Sequence, residues 1–232
     1  MRNLHEWNLS YAEARRVQGE LAGRVEFVPL EREPEIIAGL DCAFSGDGKR
    51  TFAAVVVLRV TGCRPGLAGG PDCFEFELVE TATAEQETRF PYIPGLLSFR
   101  EAPVCLEAVA KLSLLPDLFM IDGQGVAHPR RLGLASHLGL FLDKPTIGCA
   151  KSRLIGKFEE PGTEKGAWSP LRDGQEIIGA AVRTRSRVKP VFVSVGHKCA
   201  LEDAIRITLA CATKYRIPEP TRLAHQAVSK LR

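Results

Sequence analysis

Between residues 117 and 150 the chain alternates in a way few folds permit. An apolar run at 117–122 reads as a strand and ends in Asp122-Gly123. Leu132, Leu134 and Leu140 then recur at helical spacing through 130–142, and a second apolar run follows at 145–150. Two strands joined through a helix pair in parallel, and the helix covers one face of their sheet. Upstream, β segments at 35–44, 51–60 and 73–82 have short, glycine-containing connections, the pattern of an antiparallel meander. A helix is predicted over 99–115. Two more β segments, 176–184 and 190–195, precede helices at 201–215 and 221–231. At the other end a helix is predicted over 10–30, with Ser10 as N-cap and Glu13 completing a capping box. The expected architecture is therefore α/β: a mixed sheet, made of an antiparallel three-strand meander plus parallel strands, flanked by helices. With no linker and no internal repeat, residues 1–232 are expected to form one domain.

Composition narrows the class. Hydrophobic residues at 45% and charged residues at 25% are ordinary for a soluble folded protein. A formal charge of +3 admits a nucleic-acid partner without requiring one. Local basic clusters at Arg130 and Arg131, at Lys151, Arg153 and Lys157, and at Arg183, Arg185, Arg187 and Lys189 suit either a phosphate track or a solvated face. Seven cysteines without a C-x-x-C pair form neither a zinc site nor a disulfide framework. Cys42, Cys105 and Cys149 read as small core residues. Cys63 and Cys73 bracket a glycine-rich loop and are expected to be free thiols in a reducing cytosol. The N-terminus lacks a signal-peptide pattern, and the longest apolar stretch is too short to span a bilayer. The expectation is a cytoplasmic monomer without a membrane partner.

Three acids carry the chemical reading. Asp122 stands where a strand ends, the position at which parallel α/β sheets present functional side chains; an Asp-Gly pair also makes an ordinary turn. Asp41 interrupts the apolar run IIAGLDCAF, where an ionised carboxylate is costly unless a cation pairs with it. Glu101 lies on the same helical stripe as Cys105, Ala108 and Leu112, so its carboxylate is directed toward the sheet. If the three meet, repulsion raises their pKa values unless a metal neutralises them. Oxygen ligands favour Mg²⁺, with Mn²⁺ as a substitute, and such a site suits phosphodiester hydrolysis. Unrelated surface or capping acids are the competing reading.

Several blocks, in order, span most of the chain: GLDCAF from Gly39, PYIPGLLSFRE from Pro91, IDGQGVAHPRRLGLASH from Ile121, PTIGCAKSRLIGKF from Pro145 and RIPEPTRLAH from Arg216. Together they resemble the endonuclease V family, which nicks nucleic acid near deaminated adenine. That resemblance implies a ribonuclease H-like fold with Asp41, Glu101 and Asp122 around a metal. It also implies Lys151 near the scissile phosphate and His225 beside the site, aiding a second metal or a proton transfer. It further implies that Pro91, Tyr92, Ile93, Pro94 and Gly95 form a wedge that enters the base stack. Two prolines stiffen such a loop, which suits it to hold open the gap left by a flipped nucleotide.

Gly123 and Gly125 let backbone approach a ligand closely, so the 123–126 loop, with Leu154 over the ring, is the expected base pocket. Arg130, Arg131 and Arg153 are candidate phosphate contacts; His128, Arg130 and Arg131 serve equally as supports for the loop. The implied activity is cleavage of the second phosphodiester 3′ of deoxyinosine in DNA. An inosine-specific endoribonuclease and a non-catalytic inosine-binding module are the rivals. The 61–71 connection looks longer than is usual in the family, and His197 carries no assigned role.

Overall fold

The three hairpin-linked segments form one edge of an open eight-stranded sheet. In the computed structural model, which describes residues 1–66 and 70–232, they are β1 (Ile36–Phe44), β2 (Arg50–Arg64) and β3 (Cys73–Glu87), paired antiparallel. The middle of the glycine-rich connection, 67–69, lies outside the described residues. The strands β4 (Leu118–Ile121) and β5 (Thr146–Ala150) run parallel to β1 and to each other, as the 117–150 alternation predicts. The remaining strands, β6 (Trp168–Asp173), β7 (Glu176–Val182) and β8 (Val191–His197), add antiparallel pairs, giving the order β3-β2-β1-β4-β5-β8-β7-β6.

The two-residue period of the strands assigns the faces. Ala38 and Leu40 of β1, Ala53, Val55 and Val57 of β2, and Phe119 and Ile121 of β4 share a core with helices α2 (Leu97–Ala110) and α3 (Leu134–Leu142). The alternate β2 residues Phe52, Ala54, Val56 and Leu58 meet Ala224 and Val228 of α5 (Glu219–Ser229). Helix α4 (Leu201–Cys211) packs on β8, and α1 (Tyr11–Ala22) joins the core through Ala14, Val17 and Leu21.

The structure differs from the sequence expectations in several places. The capping box forms as predicted, with Ser10 donating to Glu13 and accepting from its amide, but α1 stops at Ala22 rather than near residue 30. Beyond Gly23 the chain is held by other partners, since the Glu26 amide donates to His197 and the Leu30 amide to Asp203. The stretch 130–133 is a turn before α3 rather than its start, fixed by the Gly133 and Ala135 amides bonding to Gly125 and Gln124. Strand β6 was not anticipated, because Pro170 interrupts it. Proline is tolerated there since β6 is the edge strand. All seven cysteines are free thiols. Among the described residues no helix is long and apolar enough to cross a membrane.

Candidate functional site

Strand register brings two of the acids together. Leu40 pairs with Ile121 across the parallel β1–β4 ladder, and the Asp122 amide donates to the Leu40 carbonyl at 3.0 Å. Asp41 and Asp122 thus stand one residue beyond that pair on neighbouring strands. Because Leu40 faces the α2–α3 core, Asp41 faces α5. From that helix the His225 Nδ1 donates to Asp41 Oδ2 at 2.7 Å, while the Cys42 amide donates to Oδ1 at 2.8 Å. Lys151, the residue after β5, reaches back to ion-pair with Asp122 Oδ2. One ligand atom from each of Asp41, Asp122 and His225 lies within 4.8 Å of the others.

Glu101, in the first turns of α2, is not within that group but is buried beside it. Burial, then the charges of Asp41 and Asp122, push its carboxyl up to about 8. Asp41 is also raised, chiefly by burial and then by Asp122, against the lowering effect of His225 and Lys151. Full ionisation of the three acids would carry more negative charge than Lys151 neutralises, so without a cation Glu101 keeps its proton at pH 7. Two carboxylates, a third close by and one imidazole form a donor set that fits a small, hard divalent cation.

The raised Glu101 has a measurable consequence. Its folded-state proton is held more tightly than the unfolded one, so the stability this contributes is complete below about pH 4.5. It is lost as pH rises toward 8. Metal-free protein is expected to lose a few kcal/mol of stability across that window. Added Mg²⁺ should raise the melting temperature more at pH 8.5 than at pH 6, because binding expels the proton. Thermal melts with Mg²⁺ or chelator at both pH values check this; equal metal effects would remove Glu101 from the site.

Cys42 and Cys105, one residue from Asp41 and one helical turn from Glu101, lie with their sulfurs 3.0 Å apart. The contact with Cys105 and then burial push the Cys42 thiol up, and burial pushes Cys105 up against the lowering effect of that contact, so both behave as core residues.

The 91–95 loop projects an exposed Tyr92, while Ile93 packs on the core and Gly95 adopts φ +79°. Leu154 is exposed. The two loop glycines separate. A Cβ on Gly123 makes only ordinary side-chain contacts, with Leu134 at 3.5 Å and Ile121 at 3.9 Å, whereas one on Gly125 falls 2.0 Å from the Val195 carbonyl oxygen. The Gly125 amide donates to Ser194 and its carbonyl accepts from Gly133. Gly125 is therefore glycine so that the loop can pack on β8, and its backbone polar groups are already occupied.

Of the candidate phosphate contacts, Arg131 is paired with Asp173 and Glu176. Arg130 is bound to Gln18 and the Gly95 carbonyl. Arg153, exposed, donates to Gly156 at 2.9 Å. His128 is buried and pushed down to about 4 by burial and then by Arg130, so its imidazole is neutral at pH 7.

Sequence reasoning missed two supports. Arg216 donates to the carbonyls of Lys151, Lys189 and Pro190 and fixes the turn that carries Lys151. Gln124 donates to the Ser152 carbonyl from the other side, and its buried Oε1 has no partner among the described residues. Arg216 opens a recognised block, but no periodicity marks it as a clamp; Gln124 sits between the two glycines that drew attention.

A family model described as Endonuclease V matches residues 19–226. The chain is 50% identical over 224 residues to Endonuclease V of Methanothrix thermoacetophila, covering 97% of this chain and 93% of that one. The Endonuclease V structure from Streptomyces avermitilis aligns with a TM-score of 0.87 at 44% identity, covering 97% and 94% of the two chains. Endonuclease V of Ciona intestinalis, in complex with a 24mer DNA containing an inosine followed by a ribo-adenosine, aligns at 0.78 and 31% identity, covering 95% and 96%. A mixed sheet of this order, with one acid within β1 and another just past the end of the neighbouring β4, defines an α/β protein of the ribonuclease H-like class. Within that class the chain belongs to the endonuclease V family.

Proposed function

We propose that the protein is a deoxyinosine 3′ endonuclease of DNA repair. The observation that carries this reading is the convergence of Asp41, Asp122 and His225 within 4.8 Å, beside Glu101 and Lys151, in a chain of this family. Asp41, Glu101 and Asp122 would hold Mg²⁺, or Mn²⁺ in its place. Such an ion supplies Lewis-acid activation of water and neutralises charge at the attacking and leaving oxygens.

The chain's own residues do the rest. His225 orients Asp41 and, with a half-exposed ring, is placed to pass a proton. Lys151, about 40% exposed, can exchange Asp122 for a phosphate oxygen while Arg216 keeps its backbone in place. Tyr92 enters the base stack, and the flipped base rests by Gly123, Gln124 and Leu154. Hypoxanthine offers a ring N–H where adenine has none, and the unpartnered Gln124 Oε1 is an acceptor suited to it. Because base pocket and acids are distinct, the cut falls at the second phosphodiester 3′ of the lesion, leaving 3′-hydroxyl and 5′-phosphate ends. The site is complete within one chain, which fits a monomer.

The test is nicking of an end-labelled duplex bearing one inosine, with Mg²⁺ or chelator, mapped to the nucleotide. The expected result is a metal-dependent nick 3′ of inosine, absent from unmodified DNA. No nick despite retained inosine binding would favour a silent reader.

One observation favours a second reading. The nucleic acid bound by the Ciona intestinalis relative has a ribose directly after the inosine. An endoribonuclease would cut that substrate much faster than its all-deoxy counterpart, so the same assay with a single ribose 3′ of the lesion separates DNA from RNA preference.

A further inference from the structure

Gln18 is fully buried in α1, on the same side of the helix as Ala14, Val17 and Leu21, where packing alone calls for an apolar residue. A buried amide is retained at such a place only with its polar atoms satisfied, and here each is used. The Gln18 Nε2 donates to the Gly95 carbonyl at 2.9 Å and to the Leu132 carbonyl at 2.8 Å, and Oε1 accepts from Arg130 Nε. Arg130 Nη2 in turn donates to the same Gly95 carbonyl at 2.7 Å.

One side chain thereby ties three separate segments: α1, the far end of the 91–95 loop, and the loop between β4 and α3. Gly95 itself is shaped to the clamp. It has φ +79°, and a Cβ there would come 2.8 Å from Arg130 Nη2. The loop is thus fixed at Gly95 and packed at Ile93, while Tyr92 at its tip is 68% exposed.

We propose that Gln18, acting with Arg130, is a positioning residue for lesion specificity: it locks the 91–95 loop to the base-pocket loop so that Tyr92 is preset to enter the stack. The inference rests on the functional reading given above. A preset wedge loses little freedom on insertion, and the gain falls on capturing a stacked, paired lesion rather than on phosphodiester chemistry. Gln18 touches neither substrate nor acids. Arg130 serves the wedge instead of a phosphate.

Gln18→Met keeps length and burial but removes the amide. On duplex inosine the apparent KM is expected to rise about tenfold with kcat nearly unchanged, the signature of impaired capture. On inosine in an unpaired bulge, where the stack is already open, the variant should match the unaltered protein. Equal losses on paired and unpaired inosine, a fall in kcat alone, or no change would each overturn the proposal.

Hydrogen exchange over residues 90–97 of the free protein reads the clamp without substrate. Faster exchange in the variant is expected, and unchanged exchange overturns the clamp. If the unaltered protein cuts no inosine while exchange still quickens in the variant, the functional reading fails and the clamp stands. Should Gln18→Met not fold, Arg130→Lys keeps the cation and removes the fork. It should show the same paired-only defect, and a loss on both substrates would return Arg130 to a phosphate role and overturn the proposal.

Discussion

Asp122→Asn is expected to lower nicking of an inosine duplex by roughly three orders of magnitude or more, while leaving the fold intact and inosine binding measurable. The backbone at 122 is secured independently of the side chain, through its amide bond to Leu40. What the substitution removes is one carboxylate of the cluster and the partner of Lys151. It also removes a like charge that raises both Asp41 and Glu101, so metal-free Asp122→Asn should melt no lower than the unaltered protein. The melting-temperature gain produced by Mg²⁺ should shrink with activity. Single-turnover nicking, binding in chelator and paired melts with and without Mg²⁺ check the three parts. Undiminished turnover would remove Asp122 from the mechanism, and lost folding would make it a structural residue instead.

Gly39→Ala is expected to be the most damaging single-methyl change in the protein. A Cβ at position 39 would lie 1.9 Å from the Pro220 carbonyl oxygen and 2.0 Å from its carbon. Both are backbone atoms in the first turn of α5, so no side-chain rotation relieves the clash. Overpacking of this kind costs about 1–3 kcal/mol and more where backbone must move. Helix α5 also carries His225, so its displacement breaks the bond to Asp41. Urea unfolding should show a lower midpoint and nicking should fall with it. Gly46→Ala, whose added Cβ meets nothing within 4 Å, is the control expected to leave both unchanged. A Gly39→Ala protein with normal stability and activity would refute the packing of α5 on β1.

Much of this was legible in the chain. The alternation over 117–150 gives the parallel strands because a helix-length crossover admits no hairpin, and the two hairpins give the meander. Glu101 is legible as buried because helical spacing places it with Cys105 and Ala108, and both are fully buried. The edge strand β6 was not, since Pro170 reads as a break unless the strand's place at the sheet edge is known. The roles of Arg130 and Arg131 were ambiguous for a related reason. An exposed arginine and one bound to a carbonyl look alike in a sequence, and only their partners, Gly95 and Gln18 for one and Asp173 and Glu176 for the other, decide between them.

The sequence by itself determined which residue types lie on which face of each strand and helix, because those periodicities are local consequences of backbone geometry. It also determined that one carboxylate, Asp122, would follow a strand end and that another, Asp41, would interrupt an apolar run. Only the tertiary structure decided what each polar group meets. It set His225 against Asp41, Lys151 against Asp122, and Gln18 under Gly95, contacts between residues separated by 184, 29 and 77 positions. Partners so far apart are chosen by strand order and helix packing, which no local period encodes. It likewise gave Gly125 a packing reason, the nearness of the β8 backbone.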